Sequence, residues 1–333
     1  MTDRLIESVL KTTRNYSMLK PQDTVIAAVS GGPDSVFLLH ALNKLKRKLG
    51  ISKLIVCNLD HGLRGKASEE DSLFVKKLAR EMDLKFIHKK VDLGKGASGK
   101  LSTEELGREA RYKFFHDEAR KSGANVIATG HTLDDQAETI LMRIIKGASL
   151  KGIVGISPVR EENGVRIIRP LMELEKSQIV EYCGEKGIAY RIDYTNLEPV
   201  YFRNVVRQEI MPFLEKYNPR LKRVLFNLAE HLREDYEFIV NEKSRAASLI
   251  STPRPGVVEI SLKDMVMQPK ALQKEILRDS LEKAGGVVKK LSFRHWKEME
   301  GLVARKSKGS SVDLPGGIRI MRTGNALVFS KNI

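Results

Sequence analysis

The segment Ser30-Gly31-Gly32-Pro33-Asp34-Ser35 follows an apolar run directly and opens a helical pattern. That arrangement aims free backbone N–H groups and the positive end of a helix at one point. Glycines let the backbone approach an anion and serines add hydroxyl donors, so the segment reads as a phosphate cradle formed by Ser30, Gly31, Gly32, Pro33, Asp34 and Ser35. An ordinary glycine turn is the bland alternative. The segment lacks the lysine of the common nucleoside-triphosphate loop, and the Asp34 carboxylate would repel phosphate unless a cation intervened. ATP with Mg2+, an oxygen-seeking ion that bridges phosphates, meets that requirement.

A second glycine segment is a decoy. Gly94, Gly96 and Gly99 fit the dinucleotide spacing, and Gly94, Gly99 and Lys100 come close to the lysine loop. Leu101 stands where a magnesium-binding Ser or Thr is needed, and the following helix starts later, at Ser102-Thr103-Glu104-Glu105. The segment reads as a flexible loop over the site.

Further candidates lie at strand ends, where open α/β sheets bind ligands. Asp60-His61-Gly62-Leu63-Arg64 ends one strand, and Asp60 and His61 are expected beside the nucleotide. Gly130-His131-Thr132-Leu133-Asp134-Asp135-Gln136-Ala137-Glu138-Thr139 ends another. On a helix, His131, Asp135 and Glu138 share one face and Asp134 joins Glu138. With no His-Glu-x-x-His, magnesium-assisted phosphate chemistry is preferred over zinc hydrolysis, with Asp34, Asp135 and Glu138 as expected ligands. Helix-capping is the bland reading of the acids. Arg108 and Arg111 lie one turn apart beside Tyr112, Phe114 and Phe115, so the rings can pack inward while the guanidiniums face solvent or phosphate.

These residues need a scaffold, and the pattern supplies one. Thr24–Val29, Lys53–Asp60, Lys85–Val91 and Asn125–Thr129 read as strands, alternating with helical stretches at Ser35–Leu49, Ser68–Met82, Ser102–Lys121 and Asp134–Lys146. Val165–Arg169 and Ile188–Ile192 are expected to add strands around a helix at Lys176–Lys186. The fold class is α/β, a doubly wound, mostly parallel sheet, with a smaller helical or α+β C-terminal domain. The expected domains are 1–218, catalytic, and 219–333, which begins with a linker helix over Arg220–Ser248. Next comes a breaker-rich Ser251–Gly256, and a terminal hairpin pairs Gly317–Met321 with Ala326–Phe329.

The 333 residues carry a net charge of +16. From Arg203 onward, 25 Lys/Arg face 15 Asp/Glu, so the excess is weighted toward the C-terminal part and points to a polyanionic partner. Cys57 and Cys183 are far apart, without the spacing of zinc, iron–sulfur or disulfide frameworks, and read as core packing. No stretch reaches the roughly 18 apolar residues of a membrane helix and no signal-peptide core is seen, so a cytoplasmic location without membrane association is expected.

Taken together, Ser-Gly-Gly-x-Asp-Ser, Asp-His-Gly-Leu-Arg at 60–64, Arg-Glu-Ala-Arg-Tyr at 108–112 and Gly-His-x-x-Asp-Asp-Gln-Ala-Glu-Thr at 130–139 resemble the tRNA(Ile)-lysidine synthetase family. That family sits in the PP-loop ATP-pyrophosphatase, or adenine nucleotide alpha hydrolase-like, superfamily. The resemblance extends through Arg169-Pro170-Leu171, Asp193-Tyr194-Thr195-Asn196, the run from Tyr201 to Arg207 and Met211-Pro212-Phe213-Leu214. It is strong over residues 20–220. The first loop is common to the whole superfamily, whereas the later motifs carry specificity. Two features depart from the pattern: Pro33 in the variable loop position, and a single C-terminal domain where longer members carry another.

The resemblance implies a C–N ligase acting on the isoleucine tRNA with a CAU anticodon and on free L-lysine, a homodimer being left open. ATP would adenylate the 2-oxygen of the wobble cytidine, lysine would displace AMP, and pyrophosphate would be released. By motif position, Asp34, Arg111, His131, Asp135 and Arg203 are the expected catalytic residues. His131 or Asp135 would sit near the lysine amine, and Arg111 and Arg203 would steady the adenylated base or phosphate. A PP-loop tRNA thiolation enzyme, a small-molecule amide-forming ATP-pyrophosphatase and a catalytically silent binding protein are the alternatives.

Overall fold

In the computed structural model, residues 2–62, 65–91, 103–192, 202–304 and 307–331 are described. Leu63, Arg64, the decoy segment from Gly94 to Ser102, and the Asp193–Asn196 and Tyr201 motif positions lie outside them. The chain divides into two compact units, Met1–Glu230 and His231–Ile333.

The first unit is built on a six-stranded sheet of order β3-β2-β1-β4-β6-β5, with β1 Thr24–Ala28, β2 Lys53–Asp60, β3 Lys85–Lys90, β4 Val126–Ala128, β5 Val159–Glu162 and β6 Val165–Ile168. All neighbours are parallel except β5 and β6. Alternation along the central strands feeds two cores. Val25, Ala27, Leu54 and Val56 face α1 (Thr2–Asn15), α2 (Pro33–Leu45), α3 (Lys66–Glu81) and α7 (Lys176–Glu185), while Ile26, Ile55 and Cys57 face Phe114, Phe115 and Ala119 of α4 (Thr103–Ser122). This is the two-sided burial that parallel strands require. α5 (Leu133–Ile145) follows β4, and the short α6 (Leu150–Ile153) follows α5.

A helical run then packs on α5: α8 (Phe202–Val205), a π-turn at Val206–Ile210 and α9 (Met211–Glu215). α10 (Leu221–Arg245) begins in this unit, where Leu225 and Ala229 join Ala137, Ile140 and Met211 in one apolar cluster. The division at Glu230 therefore falls inside α10, past the expected 218/219 boundary, because the first turns of that helix bury their apolar face in the α/β unit.

Ile188–Ile192 forms no strand, contrary to expectation. Ile188 and Tyr190 pack on the core, but the Arg191 N–H donates to Gly31 O (2.9 Å), so this backbone serves the glycine loop instead of the sheet.

The second unit holds an antiparallel sheet of order β7-β8-β11-β10-β9: β7 Ile250–Arg254, β8 Val257–Ser261, β9 Ser311–Leu314, β10 Ile318–Arg322 and β11 Ala326–Lys331. α11 (Leu262–Val266), α12 (Lys270–Lys283) and α13 (Phe293–Ala304) share its core. The expected hairpin is β10–β11, paired from Ile318–Lys331 to Arg322–Leu327. The breaker-rich segment is strand β7, and Pro253 is tolerated there because β7 is an edge. Among the described residues no helix is long and apolar enough to cross a membrane.

Candidate active site

Between β1 and α2 the chain turns over Val29–Gly32, with Gly31 at φ +100°, a conformation that side chains resist. Ser35 Oγ donates to Gly32 O (2.9 Å), accepts from the Ser30 N–H (3.2 Å) and lies 3.2 Å from Ser30 Oγ, which fixes the cradle from within. Pro33 occupies the first turn of α2, where no N–H is needed. Opposite, a Cβ on Gly130 would meet the backbone of Asp34 and Ser35 at 3.2 Å. Any larger residue would crowd this backbone, and the close contact brings the His131 segment to the cradle.

Asp34 Oδ1 is buried without a partner among the described residues, and Oδ2 is 3.5 Å from Lys176 Nζ. Burial pushes the Asp34 carboxyl up to about 6, against the attraction of Lys176. A buried, unpaired carboxylate oxygen beside a phosphate cradle suits a hard cation, so Asp34 fits Mg2+.

The other two acids expected at the metal are committed elsewhere. Asp135 Oδ2 accepts from the Thr132 N–H (2.9 Å), closing a capping box, and Asp135 Oδ1 accepts from Arg203 (2.9 Å). Glu138, 3% exposed, accepts from Arg203 Nε (2.8 Å) and from Arg207 Nε and Nη2 (2.6 and 3.0 Å). No group of three or more metal-binding side chains occurs among the described residues. Arginines neutralise Asp135 and Glu138 here, while Asp34 keeps an oxygen with no partner among the described residues. Burial raises the Asp135 carboxyl, but Arg203, His131 and the Thr132 N–H outweigh it and hold the group below its ordinary value. Arg203 is likewise opposed by burial and held above its ordinary value by Asp135 and Glu138.

His131 is held in its neutral form, its pKa lowered to about 3 by burial and by Arg169, Arg203 and Arg108, against Asp135. Thr129 Oγ1 donates to Ile168 O (3.4 Å) and lies 2.9 Å from His131 Nδ1. Which atom donates in that second bond is set by the His131 tautomer.

At the end of β2, Asp60 Oδ1 accepts from the Gly62 N–H (2.8 Å), while Asp60 Oδ2 and His61 Nδ1 are buried without partners among the described residues. His61 is lowered by burial and by Arg111, whose Nη2 is 3.4 Å from His61 Nε2. β2 adjoins β1, so these open polar atoms share the carboxyl edge with the cradle.

Three residues here had no role assigned from sequence. Lys176 reaches Asp34 from α7, and no local signal marks it. Arg207 repeats Arg203 at helical spacing onto the same Glu138, a pairing that spacing alone could have suggested. Arg169, 2% exposed, bonds Ser157 O and Tyr112, while Arg108 and Arg160 stack on that Tyr112 ring at 5.1 and 5.3 Å. Asp134, a capping candidate, instead accepts from the Lys176 N–H (2.7 Å) and pairs with Lys222 (2.9 Å).

Residues 1–214 match the model of the PP-loop domain, an ATP-binding fold. A tRNA(Ile)-lysidine synthase of Clostridioides difficile is 33% identical over 329 residues, covering 98% of this chain and 70% of that protein. The chain belongs to the tRNA(Ile)-lysidine synthase family. A second family member, from Clostridium acetobutylicum, is 36% identical over 317 residues, 95% of this chain and 68% of its own. Members of the tRNA(Ile)-lysidine synthase family are ligases that form a C–N bond. A U34-tRNA thiolase from Methanococcus maripaludis with its 4Fe–4S cluster has the same fold, with TM-score 0.57 and 21% identity over 70% of this chain and 80% of that one.

Proposed function

We propose that the chain ligates the ε-amine of free L-lysine to C2 of the wobble cytidine in the CAU-anticodon isoleucine tRNA, in the cytoplasm, through an adenylated tRNA. The observation carrying this reading is the close backbone contact of Gly130 with Asp34 and Ser35, which sets a phosphate cradle beside the His131, Asp135 and Arg203 cluster.

In the first step the cytidine O2 attacks the α-phosphorus of ATP, and the bond to the pyrophosphate oxygen breaks. The cradle holds the phosphates, and Asp60 and His61 offer open polar atoms toward the nucleoside. Asp34 would hold Mg2+, which when bound neutralises the departing pyrophosphate. In the second step the lysine amine attacks C2, the C2–O bond breaks and AMP leaves, with Arg111 and Arg203 offsetting the developing phosphate charge.

The amine must first lose a proton, since at a reference pKa of about 10.4 only roughly one lysine in a few thousand is neutral at pH 7. His131 and Asp135 are placed near the amine, but His131, its pKa lowered to about 3, is too weak a base to keep that proton, which passes to solvent. The arginines that keep His131 neutral also disfavour an ammonium ion beside it. His231–Ile333, with 19 Lys/Arg against 12 Asp/Glu, is assigned to the tRNA backbone.

Incubation with the candidate tRNA, ATP and labelled lysine tests the whole reading. Mass spectrometry of the digested nucleosides is expected to show label on one modified cytidine, and unmodified cytidine with full ATP turnover would overturn it.

The likeness to a thiolase raises sulfur transfer as the competing chemistry. An iron–sulfur cluster takes its ligands from several cysteines, and this chain has two. Both are fully buried, and burial pushes the thiols up to about 12 for Cys57 and about 11 for Cys183. Cys57→Ser and Cys183→Ser are each expected to retain lysine incorporation within about threefold, with stability losses of about 1–3 kcal/mol. Inactivity of a folded variant would restore a thiol mechanism.

A further inference from the structure

The cradle offers phosphate only neutral donors and one carboxylate, so positive charge must come from outside the loop. Lys176 is placed to bring it. As the first residue of α7, it is pinned through its backbone, whose N–H donates to Asp134 Oδ2 (2.7 Å), and Asp134 is anchored in turn by Lys222 (2.9 Å). The Leu133 N–H donates to Leu174 O (2.9 Å), so the starts of α5 and α7 are stitched together beside the loop.

The Lys176 side chain, by contrast, is 43% exposed and makes one ion pair among the described residues, at 3.5 Å to Asp34 Oδ2. That distance is well beyond the roughly 2.7–2.9 Å of a tight charge-assisted bond. A salt bridge whose only task was to neutralise Asp34 would close on it, and Asp34 Oδ1 would not be left without a partner. The ammonium is therefore fixed at its root and loosely held at its tip, next to where the terminal phosphates must lie.

We propose that Lys176 takes the place of the absent loop lysine, its Nζ moving from Asp34 onto the β- and γ-phosphates of ATP and holding the pyrophosphate as it leaves. This rests on the reading of residues 30–35 as an ATP cradle. It adds a contact to phosphate and changes no bond in the reaction.

Equilibrium binding of ATP, inorganic pyrophosphate and AMP, each with Mg2+, to the full chain tests it. Lys176→Gln is expected to weaken ATP and pyrophosphate by about tenfold or more, the scale of one lost charge-assisted bond, and to leave AMP within twofold. Lys176→Arg is expected to recover most of the loss. The same substitution made in an Asp34→Asn background separates direct from indirect action: a lysine that touches phosphate still matters there, whereas one that serves only Asp34 does not. Unchanged pyrophosphate affinity in Lys176→Gln, an equal loss of AMP, or disappearance of the effect in the Asp34→Asn background each overturns the proposal. A wild-type chain that binds none of the three ligands removes the cradle reading itself.

Discussion

Asp34→Asn is expected to abolish tRNA-dependent exchange of pyrophosphate into ATP in the absence of lysine, while making the ligand-free chain more stable above pH 6. Both effects come from one buried carboxylate. Its loss removes the cradle's anionic contact for a cation, and removal of a single electrostatic group from such a site costs about 100-fold to 1000-fold or more. For stability, the carboxyl rises from 3.8 in the unfolded chain to about 6 in the fold. The folded state thus holds a proton that the unfolded state has lost between those values. The resulting penalty is absent below about pH 4, grows as pH rises through the window, and is fully present above 6. Its upper size is about 3 kcal/mol, at about 1.4 kcal/mol per pH unit. Thermal unfolding of wild type and variant at pH 4 and pH 7.5 should show a difference only at the higher pH. Normal exchange by the variant sinks the catalytic role, and a lower melting temperature at pH 7.5 sinks the electrostatic account.

Glu138→Ala should be the most damaging single change to the fold around the site. The carboxylate is almost fully enclosed and holds Arg203 and Arg207 together, so its removal leaves two partly buried guanidiniums with Asp135 as their remaining acidic partner among the described residues. Breaking a buried ion pair in this way costs about 3–5 kcal/mol. Urea unfolding measures that loss directly, and a loss under about 1 kcal/mol would show that the pairs are no stronger than surface contacts. Arg203 also loses its Nε anchor, so lysine incorporation should fall even where the variant remains folded.

Periodic apolar runs made most of the first unit legible. β2 has the expected bounds, Lys53–Asp60, because it is buried on both faces and ends in a polar motif. β5 carries Arg160, Glu161 and Glu162 on an edge and shows no apolar pattern. Its signal was the turn: Asn163 and Gly164 both adopt positive φ (52° and 74°), the backbone of a tight hairpin between β5 and β6. The Ile188–Ile192 segment misled because burial of its side chains and bonding of its backbone have different partners. At the site, Asp135 and Glu138 were readable from one helix, whereas His131, expected on the same face, lies ahead of the Thr132 cap and outside α5. What neutralises the acids was not readable, since Arg203 and Arg207 arrive from a distant run and Lys176 from another. Two carboxylates on a face look alike in sequence whether a metal or a guanidinium waits opposite.

The π-turn at Val206–Ile210 sets the phase of everything after it. The wide turn undershoots where an ordinary helix overshoots, so the eight steps from Arg203 to Met211 close on nearly two whole turns. Arg203 and Arg207 can then address the same acid while Met211, four further on, still enters the apolar cluster on α5. Winding the same eight steps regularly, without the π-turn, would rotate Met211 by about 90° against Arg203, whereas deleting one residue within 206–210 restores regular winding and keeps the flanking segments nearly in phase. The extra residue is therefore absorbed by the wide turn, and both the arginines and Met211 stay on α5.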